Sequence, residues 1–390
     1  SMPSTSRVKL QSNLQSTMNS NSHSTLNILI AGGGSGGHLA PAIGIGEQLV
    51  QRGHHVLLGH SGREIDYQML EHTSFEHVVI PAMPLQLSPR GFLAFSKGFR
   101  DGARTTRALI QEHSIDGIVS TGGFVAAPAL YASKQKKIPS LLLNLDAPPG
   151  KANKLARRWA TTCVSTVNCG WRDAVTVHPP LRDASANRFS KTEAAQELGL
   201  SPDFKTLLVT GASQGASTIN KMVTRLASES PHCFDGWQVL HLTGSQHELE
   251  MKQTWADISI PSVVVDFLQS MSLAWSAADF AVTRGGANTV AEIAFHNVPT
   301  LVMPYPFHND DHQRTNAEPL ECVGGVAIET DHKTTEANLK CAGKKLTEFL
   351  QNDKQRIVMR EALNKLDTVN GSLECALLME KTAKQQSSVI

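Results

Sequence analysis

Short apolar runs alternate along this chain with longer amphipathic stretches, the pattern of parallel β-strands joined by helices. From Leu26 onward the runs read as strands at Leu26–Ala31, His55–Leu58, Gly117–Ser120, Ser140–Leu143, Thr162–Ser165 and Thr176–His178. A second series follows at Thr206–Thr210, Gln238–Leu242, Ser262–Asp266, Phe280–Thr283, Thr300–Pro304 and Gly325–Ile328. Each series opens with a strand, a loop of small residues and a helix. That predicts an α/β protein of two Rossmann-like, doubly wound domains rather than one eight-unit barrel. Pro179-Pro180 continues neither a ladder nor a helix interior, so the domains are expected at 26–180 and 181–365. The closing stretch from Lys354 to about Lys384 reads as one or two helices broken near Asn370-Gly371. Residues 366–390 are expected to pack back towards the first domain.

Composition narrows the class. The 390 residues carry 36 Lys and Arg against 35 Asp and Glu, a formal net charge of +1. No overall field therefore gathers nucleic acid, and none is expected as a partner. Six cysteines make neither a disulfide framework nor a CxxC pair and read as reduced thiols of a cytosolic enzyme. No apolar run approaches the roughly 18 residues that cross a bilayer. The first 25 residues are rich in Ser, Asn, Gln and Thr. They are expected to form a disordered tail, without the apolar centre of a secretory signal.

Candidate chemistry gathers where strands end in small residues. Strand Leu26–Ala31 runs into Gly32-Gly33-Gly34-Ser35-Gly36-Gly37-His38, where glycines allow a tight turn and leave helix N–H groups facing a ligand. The spacing also fits G-x-G-x-x-G. However, the following strand ends at Leu58-Gly59-His60 without the carboxylate that a dinucleotide ribose needs, which argues against NAD. His38, at the ligand-bearing edge of an open sheet, suits a general base, with a structural histidine as the other reading. Gly211-Ala212-Ser213-Gln214-Gly215-Ala216 repeats the arrangement as a second candidate anion site. Thr283-Arg284-Gly285-Gly286-Ala287-Asn288-Thr289 adds a guanidinium beside a helix start, a combination suited to a diphosphate leaving group. Glu292, one turn further, could hold a ribose diol or simply favour the helix dipole. His308, Asp310, Asp311 and His312 lack an i,i+4 histidine pair, and no metal site is expected. Gln313 and Asn316 offer donors and acceptors suited to sugar hydroxyls.

One further segment stands out. Between Pro84 and Arg107, Leu85, Leu87, Phe92, Leu93, Phe95 and Phe99 interleave with Arg90, Lys97, Arg100, Arg104 and Arg107. Such a helix suits shallow insertion among anionic headgroups; inward packing of its phenylalanines is the alternative.

Together these motifs resemble a GT-B glycosyltransferase, and more narrowly the MurG family. The resemblance rests on Gly32–Pro41, Thr121-Gly122-Gly123-Phe124-Val125, Gly211–Ala216, Arg284–Thr289 with Glu292, and Gln313 with Asn316–Glu321, in the family's order. It implies inverting transfer of N-acetylglucosamine from UDP-N-acetylglucosamine to the C4 hydroxyl of lipid I, giving lipid II at the cytoplasmic face of the membrane. UDP-N-acetylglucosamine would be a substrate and no cofactor would be tightly bound; any divalent-cation dependence would act through the acceptor. His38 would be the base, with Asp146 second. Ser213, Arg284, Ala287, Asn288 and Thr289 would hold the diphosphate, Glu292 the ribose, and Gln313 and Asn316 the sugar; Gln214, Gly215, Gly286 and His312 would also bind the donor, and Phe267 would lie by the uracil. Ser35, Gly36, Gly37, Gly122, Gly123, Phe124, Asn153 and Arg182 would bind the acceptor. The chain departs from the family at Leu143-Asn144-Leu145-Asp146, where His-Glu-Gln-Asn is usual. Phe124, Gly285 and His312 replace tyrosine, serine and glutamine. A related transferase with another acceptor, a UDP-sugar 2-epimerase and a non-catalytic nucleotide-sugar sensor remain the alternative readings.

Overall fold

A computed structural model describes residues 25–387, apart from Ser35, 85–87, Ala147, 212–215, Ser245 and 308–310. The first half forms a seven-stranded sheet in the order β3-β2-β1-β4-β5-β6-β7. Its strands are β1 (Asn27–Gly32), β2 (His55–His60), β3 (Glu76–Val79), β4 (Gly117–Gly122), β5 (Ser140–Asn144), β6 (Thr162–Ser165) and β7 (Val175–Thr176). The second half forms a six-stranded sheet, β10-β9-β8-β11-β12-β13. It comprises β8 (Lys205–Thr210), β9 (Trp237–Leu242), β10 (Ser262–Val265), β11 (Phe280–Thr283), β12 (Thr300–Val302) and β13 (Val326–Ile328). Every pairing is parallel, so the two doubly wound sheets match the alternation of the sequence.

Both faces of each sheet are covered, as parallel sheets require. Ile28 and Ile30 of β1 face one apolar cluster, Leu29 and Ala31 the other. Leu207 and Val209 likewise oppose Leu208 in β8. The helices that matter below are α1 (Gly36–Gln51), α2 (Glu64–Leu70), α3 (Pro89–Glu112), α4 (Lys151–Ala156), α5 (Ala287–His296), α6 (His312–Cys322) and α7 (Gly371–Ser387).

One strand escapes the sequence reading. β3, Glu-His-Val-Val, is a four-residue edge strand with no fully buried side chain, so its pattern carries no alternation to detect.

The chain passes from the first half to the second near Leu181 and returns near Asn370. The two passages are laced together: Asn370 accepts from the Leu181 N–H and donates to its carbonyl, both at 2.9 Å. Helix α7 then lies on the first sheet. Cys375, Ala376, Leu378 and Met379 join the cluster of Ile28 and Ile30, where Leu378 and Met379 each contribute about 1.5–3 kcal/mol. Glu380 is clamped by Arg52 at 2.6 and 3.0 Å and by His54 at 2.9 Å. Burial alone would raise that carboxyl, but these hydrogen bonds outweigh it and hold it at about 2.

Candidate active site

In each sheet the strand order reverses beside its first strand, between β1 and β4 and between β8 and β11. Such switch points open crevices at the strands' carboxyl ends. In the first sheet the crevice is shaped by a local irregularity. Ala31 pairs with Ser120 but Gly32 with Gly122, so Thr121 is bulged out of register. Its carbonyl accepts from His38 Nδ1 at 3.0 Å, while its hydroxyl donates to the His38 carbonyl at 2.7 Å. A carbonyl can only accept, so Nδ1 carries a proton, and in the neutral ring the lone pair falls on Nε2.

Glycines make this approach possible. Gly122 and Gly123 have φ of +101° and +77°. A Cβ on Gly122 would sit 2.9 Å from His38 Nδ1, and one on Gly123 only 2.2 Å from the Gly33 carbonyl oxygen. Gly34, at φ +89°, lies against the Phe124 ring.

His38, Phe124, Asp146 and Asn153 share one open cavity of about 310 Å³, lined also by Met83, Pro84, Phe95 and Leu155. Asn153, only 4% exposed, donates to the Leu143 carbonyl at 3.4 Å and to Asn144 Oδ1 at 3.2 Å. Its own Oδ1 is buried without a hydrogen-bond partner. Asn144 is fully buried and donates to the Asp146 carbonyl and Ser165. At this departure from the family the residues form a fixed amide relay, with the Asp146 carboxylate left at the cavity wall. Helix α1 begins with Gly36 and Gly37, whereas Ser35 lies outside the described residues.

The second crevice is built differently. Arg284 follows β11 but turns under its loop, with the residue 4% exposed. Nη1 donates to Asp331 at 2.8 Å and to the Met303 and Pro304 carbonyls at 2.9 and 3.2 Å; Nη2 donates to Thr218 at 2.8 Å. Burial pushes its pKa down and the Asp331 partnership opposes that. The guanidinium lies beneath the loop, where it offsets the charge of Asp331, itself 3% exposed, while its buried Nε has no hydrogen-bond partner.

Gly286 caps α5, and Ala287, Asn288 and Thr289 form its first turn. Asn288 reaches across the cleft to the Gly36 carbonyl at 3.5 Å. Glu292 is buried and accepts from Trp275 Nε1 at 2.9 Å. Burial raises its pKa, against hydrogen bonds from Ser185 and Trp275 and the nearby charge of Arg182. Arg182, expected on the acceptor side, thus stands on the connector between the halves, close to Glu292 and Glu47.

Gln313 Oε1 accepts from the Gly285 and Tyr305 amides, and Asn316 donates to the Gly285 carbonyl at 3.1 Å. A serine at 285 would press its Cβ to 2.2 Å from the Gln313 carbonyl oxygen, so glycine follows from the packing of α6. His312 is the first residue of α6. Phe267 is 53% exposed, and its N–H donates to Asp266 at 2.8 Å.

Ser213, Gln214 and Gly215 lie outside the described residues, as do His308 and Asp310 of the candidate metal cluster. Among the described residues, no three His, Cys, Asp or Glu side chains converge as metal ligands.

Helix α3 divides its apolar residues. Phe92 and Leu93 are 57% and 69% exposed, beside exposed Arg90, Lys97, Arg100 and Arg104. Phe95 lines the cavity, and Phe99 packs on Tyr131 and Trp159. Leu85 and Leu87 lie outside the described residues. No described helix is long and apolar enough to cross a membrane.

Sequence reasoning missed two residues of the first crevice. Asp66, fully buried, accepts from the Gly34 N–H at 3.1 and 3.2 Å and from the amide and hydroxyl of Ser61. Burial would raise its pKa, but hydrogen bonds from His60, Ser61 and Gly34 lower it. Arg63 lies over the Phe124 ring, 4.5 Å from its centroid. Their signal was position: both follow β2 at the ligand-bearing edge.

The glycosyltransferase family 28 N-terminal domain matches residues 28–165, and the family's C-terminal domain matches residues 206–370. A Streptomyces coelicolor protein named UDP-N-acetylglucosamine–N-acetylmuramyl-(pentapeptide) pyrophosphoryl-undecaprenol N-acetylglucosamine transferase is 32% identical over 317 residues, covering 80% of this chain and 86% of that one. The crystal structure of Acinetobacter baumannii MurG superposes with a TM-score of 0.71 at 21% identity, over 92% of this chain and all of that one. A putative UDP-N-acetylglucosamine 2-epimerase from Listeria monocytogenes also superposes, at 0.63 and 12% identity, over 94% and 98% of the two chains. Fold alone therefore does not separate transferase from epimerase, but sequence identity sustained across both halves does: the chain belongs to glycosyltransferase family 28 and, within it, to the MurG family.

Proposed function

We propose that this protein transfers N-acetylglucosamine from UDP-N-acetylglucosamine to the C4 hydroxyl of a lipid-linked muramyl acceptor, inverting the anomeric centre, in peptidoglycan synthesis. The observation that supports the reading is the bond from His38 Nδ1 to the Thr121 carbonyl at the edge of the cavity. With Nδ1–H committed to the Thr121 carbonyl, Nε2 is an acceptor at the wall of a cavity of sugar-binding size. In the reaction, the acceptor hydroxyl gives its proton to Nε2 and its oxygen attacks the anomeric carbon. The bond from that carbon to the UDP oxygen breaks, and the electron pair leaves on the diphosphate.

The second half supplies the leaving-group site. The first turn of α5 offers N–H groups to the diphosphate and Glu292 offers a carboxylate to the ribose hydroxyls. Gln313 and Asn316, already pinned to the Gly285 backbone, present their remaining amide atoms to the sugar. Arg284 keeps the loop in shape and lends its charge from beneath. Phe92 and Leu93, ringed by basic side chains, hold the first half against the inner leaflet, where such an acceptor resides.

The deciding assay measures UDP release with and without a lipid I analogue. Acceptor-dependent release with a disaccharide product is expected. Release of free sugar without acceptor would point to epimerase chemistry, and tight UDP-sugar binding without turnover would point to a sensor; either result overturns the proposal.

A further inference from the structure

Glu292 lies where a charge is disfavoured. The residue is 9% exposed, and loss of water penalises the ionised form of a carboxyl group. What offsets that cost is a pair of neutral donors, aided by the charge of Arg182. Trp275, on the short helix Met271–Ala277, donates from Nε1 to Glu292 Oε2 at 2.9 Å. Ser185, on the connector helix Asp183–Ala186, donates from its hydroxyl.

Both donors are held in turn. Trp275 is fully buried in the apolar cluster that includes Leu208, Leu240, Ala281 and Ile293, so its ring neither turns nor reaches a ligand. An indole N–H can only donate, which leaves the carboxylate as the sole acceptor of this pair. Ser185 is equally buried. Its Oγ accepts from Arg182 Nε at 3.5 Å, leaving the hydroxyl hydrogen for Glu292, and its carbonyl accepts from His296 Nε2 at 2.7 Å.

This is more than a helix dipole requires, because a first-turn carboxylate serves a dipole from the surface. Two donors from two separate elements instead fix where the carboxylate faces. A carboxylate accepts about four hydrogen bonds, so acceptor positions remain for a vicinal diol. Without these donors the buried carboxyl takes up a proton or turns aside, and either change removes an acceptor from the diol.

We infer that Trp275 and Ser185 are positioning residues of the donor half: they hold the Glu292 carboxylate against both ribose hydroxyls, and so set a preference for ribonucleotide over 2′-deoxyribonucleotide sugar donors. The inference rests on Glu292 facing the ribose. Neither residue touches the nucleotide; each acts through Glu292.

Calorimetry with UDP and 2′-deoxy-UDP on the full-length protein tests this, and no acceptor is needed. The wild type is expected to prefer UDP about 10- to 100-fold, the worth of a hydrogen bond to a charged group. Trp275→Phe keeps a ring in the core but removes the donor. Its preference should fall below about 3-fold through weaker UDP binding, with 2′-deoxy-UDP affinity unchanged. Ser185→Ala removes less bulk and should cut the preference about 3-fold; it carries the test if Trp275→Phe melts too low to assay. Added to Glu292→Ala, either substitution should cost no further preference, because nothing is left to position. In turnover, the KM for UDP-N-acetylglucosamine should rise with kcat nearly unchanged. Should both variants keep the wild-type preference, or weaken the two nucleotides by the same factor, the bonds serve packing alone. The inference is then overturned with the ribose assignment intact. A wild type that binds the two nucleotides alike would remove the ribose assignment itself, and the inference with it.

Discussion

His38 and Arg284 hold equivalent stations, each just beyond a strand that flanks a switch point, yet they are used in opposite ways. His38 spends one ring nitrogen on Thr121 and leaves the other at the cavity. Arg284 spends its guanidinium on Asp331, Thr218 and two carbonyls and is nearly hidden. The difference teaches that burial and partner count, more than residue type, set how much of a motif side chain is left for a ligand: of the Arg284 nitrogens only the buried Nε has no partner.

The comparison is broken most directly at His38. His38→Ala should lower kcat about 10²- to 10⁴-fold with little change in stability or in UDP affinity, measured by turnover, denaturant melts and calorimetry. Near-normal turnover would move the base elsewhere, with Asp146 next in line. Arg284→Ala should do the reverse and destabilise the protein by about 3–5 kcal/mol, because it strands a buried Asp331. If a urea melt shows no loss while UDP affinity collapses, Arg284 is a ligand contact and the contrast fails.

A smaller effect distinguishes the halves at the membrane. Phe92→Ser combined with Leu93→Ser should weaken sedimentation with anionic vesicles several-fold and leave UDP binding intact. Unchanged sedimentation would detach the first half from the bilayer.

The smallest effect lies between the halves. Glu47 of α1 accepts from the Asp183 N–H on the connector at 2.6 Å. Burial, aided by Asp183 and opposed by that hydrogen bond and by Arg182, raises its pKa from 4.5 to about 7. Its contribution to stability is therefore full below pH 4.5 and lost as pH rises to about 7, since the unfolded chain gives up this proton first. Glu47→Gln should flatten that slope and gain on the order of 1 kcal/mol over the wild type at pH 8 relative to pH 5. Parallel melting curves across that range would contradict the assignment.

Much of this was legible in the sequence, for identifiable reasons. Buried parallel strands announce themselves as apolar runs, and the glycine loops carry their geometry in composition. The cavity's key bond was not legible, because Thr121 meets His38 only through a register slip between two strands far apart in sequence. Nor was the burial of Arg284, whose counter-charge Asp331 lies 47 residues away. Arg63 was overlooked because a lone arginine after a strand has no pattern; its meaning comes from Gly34 and Phe124, which the fold brings to it.

The return of α7 to the first sheet makes the second half an insertion within the first. During synthesis, the strands from Ile28 onward emerge with Leu39, Ile43 and Leu49 of α1 over one face, but the rest of its cover, Cys375, Ala376, Leu378 and Met379, follows only after the whole second half. The half begun first is thus completed only after the other, and a nascent chain stopped before residue 371 leaves part of that apolar face exposed to chaperones.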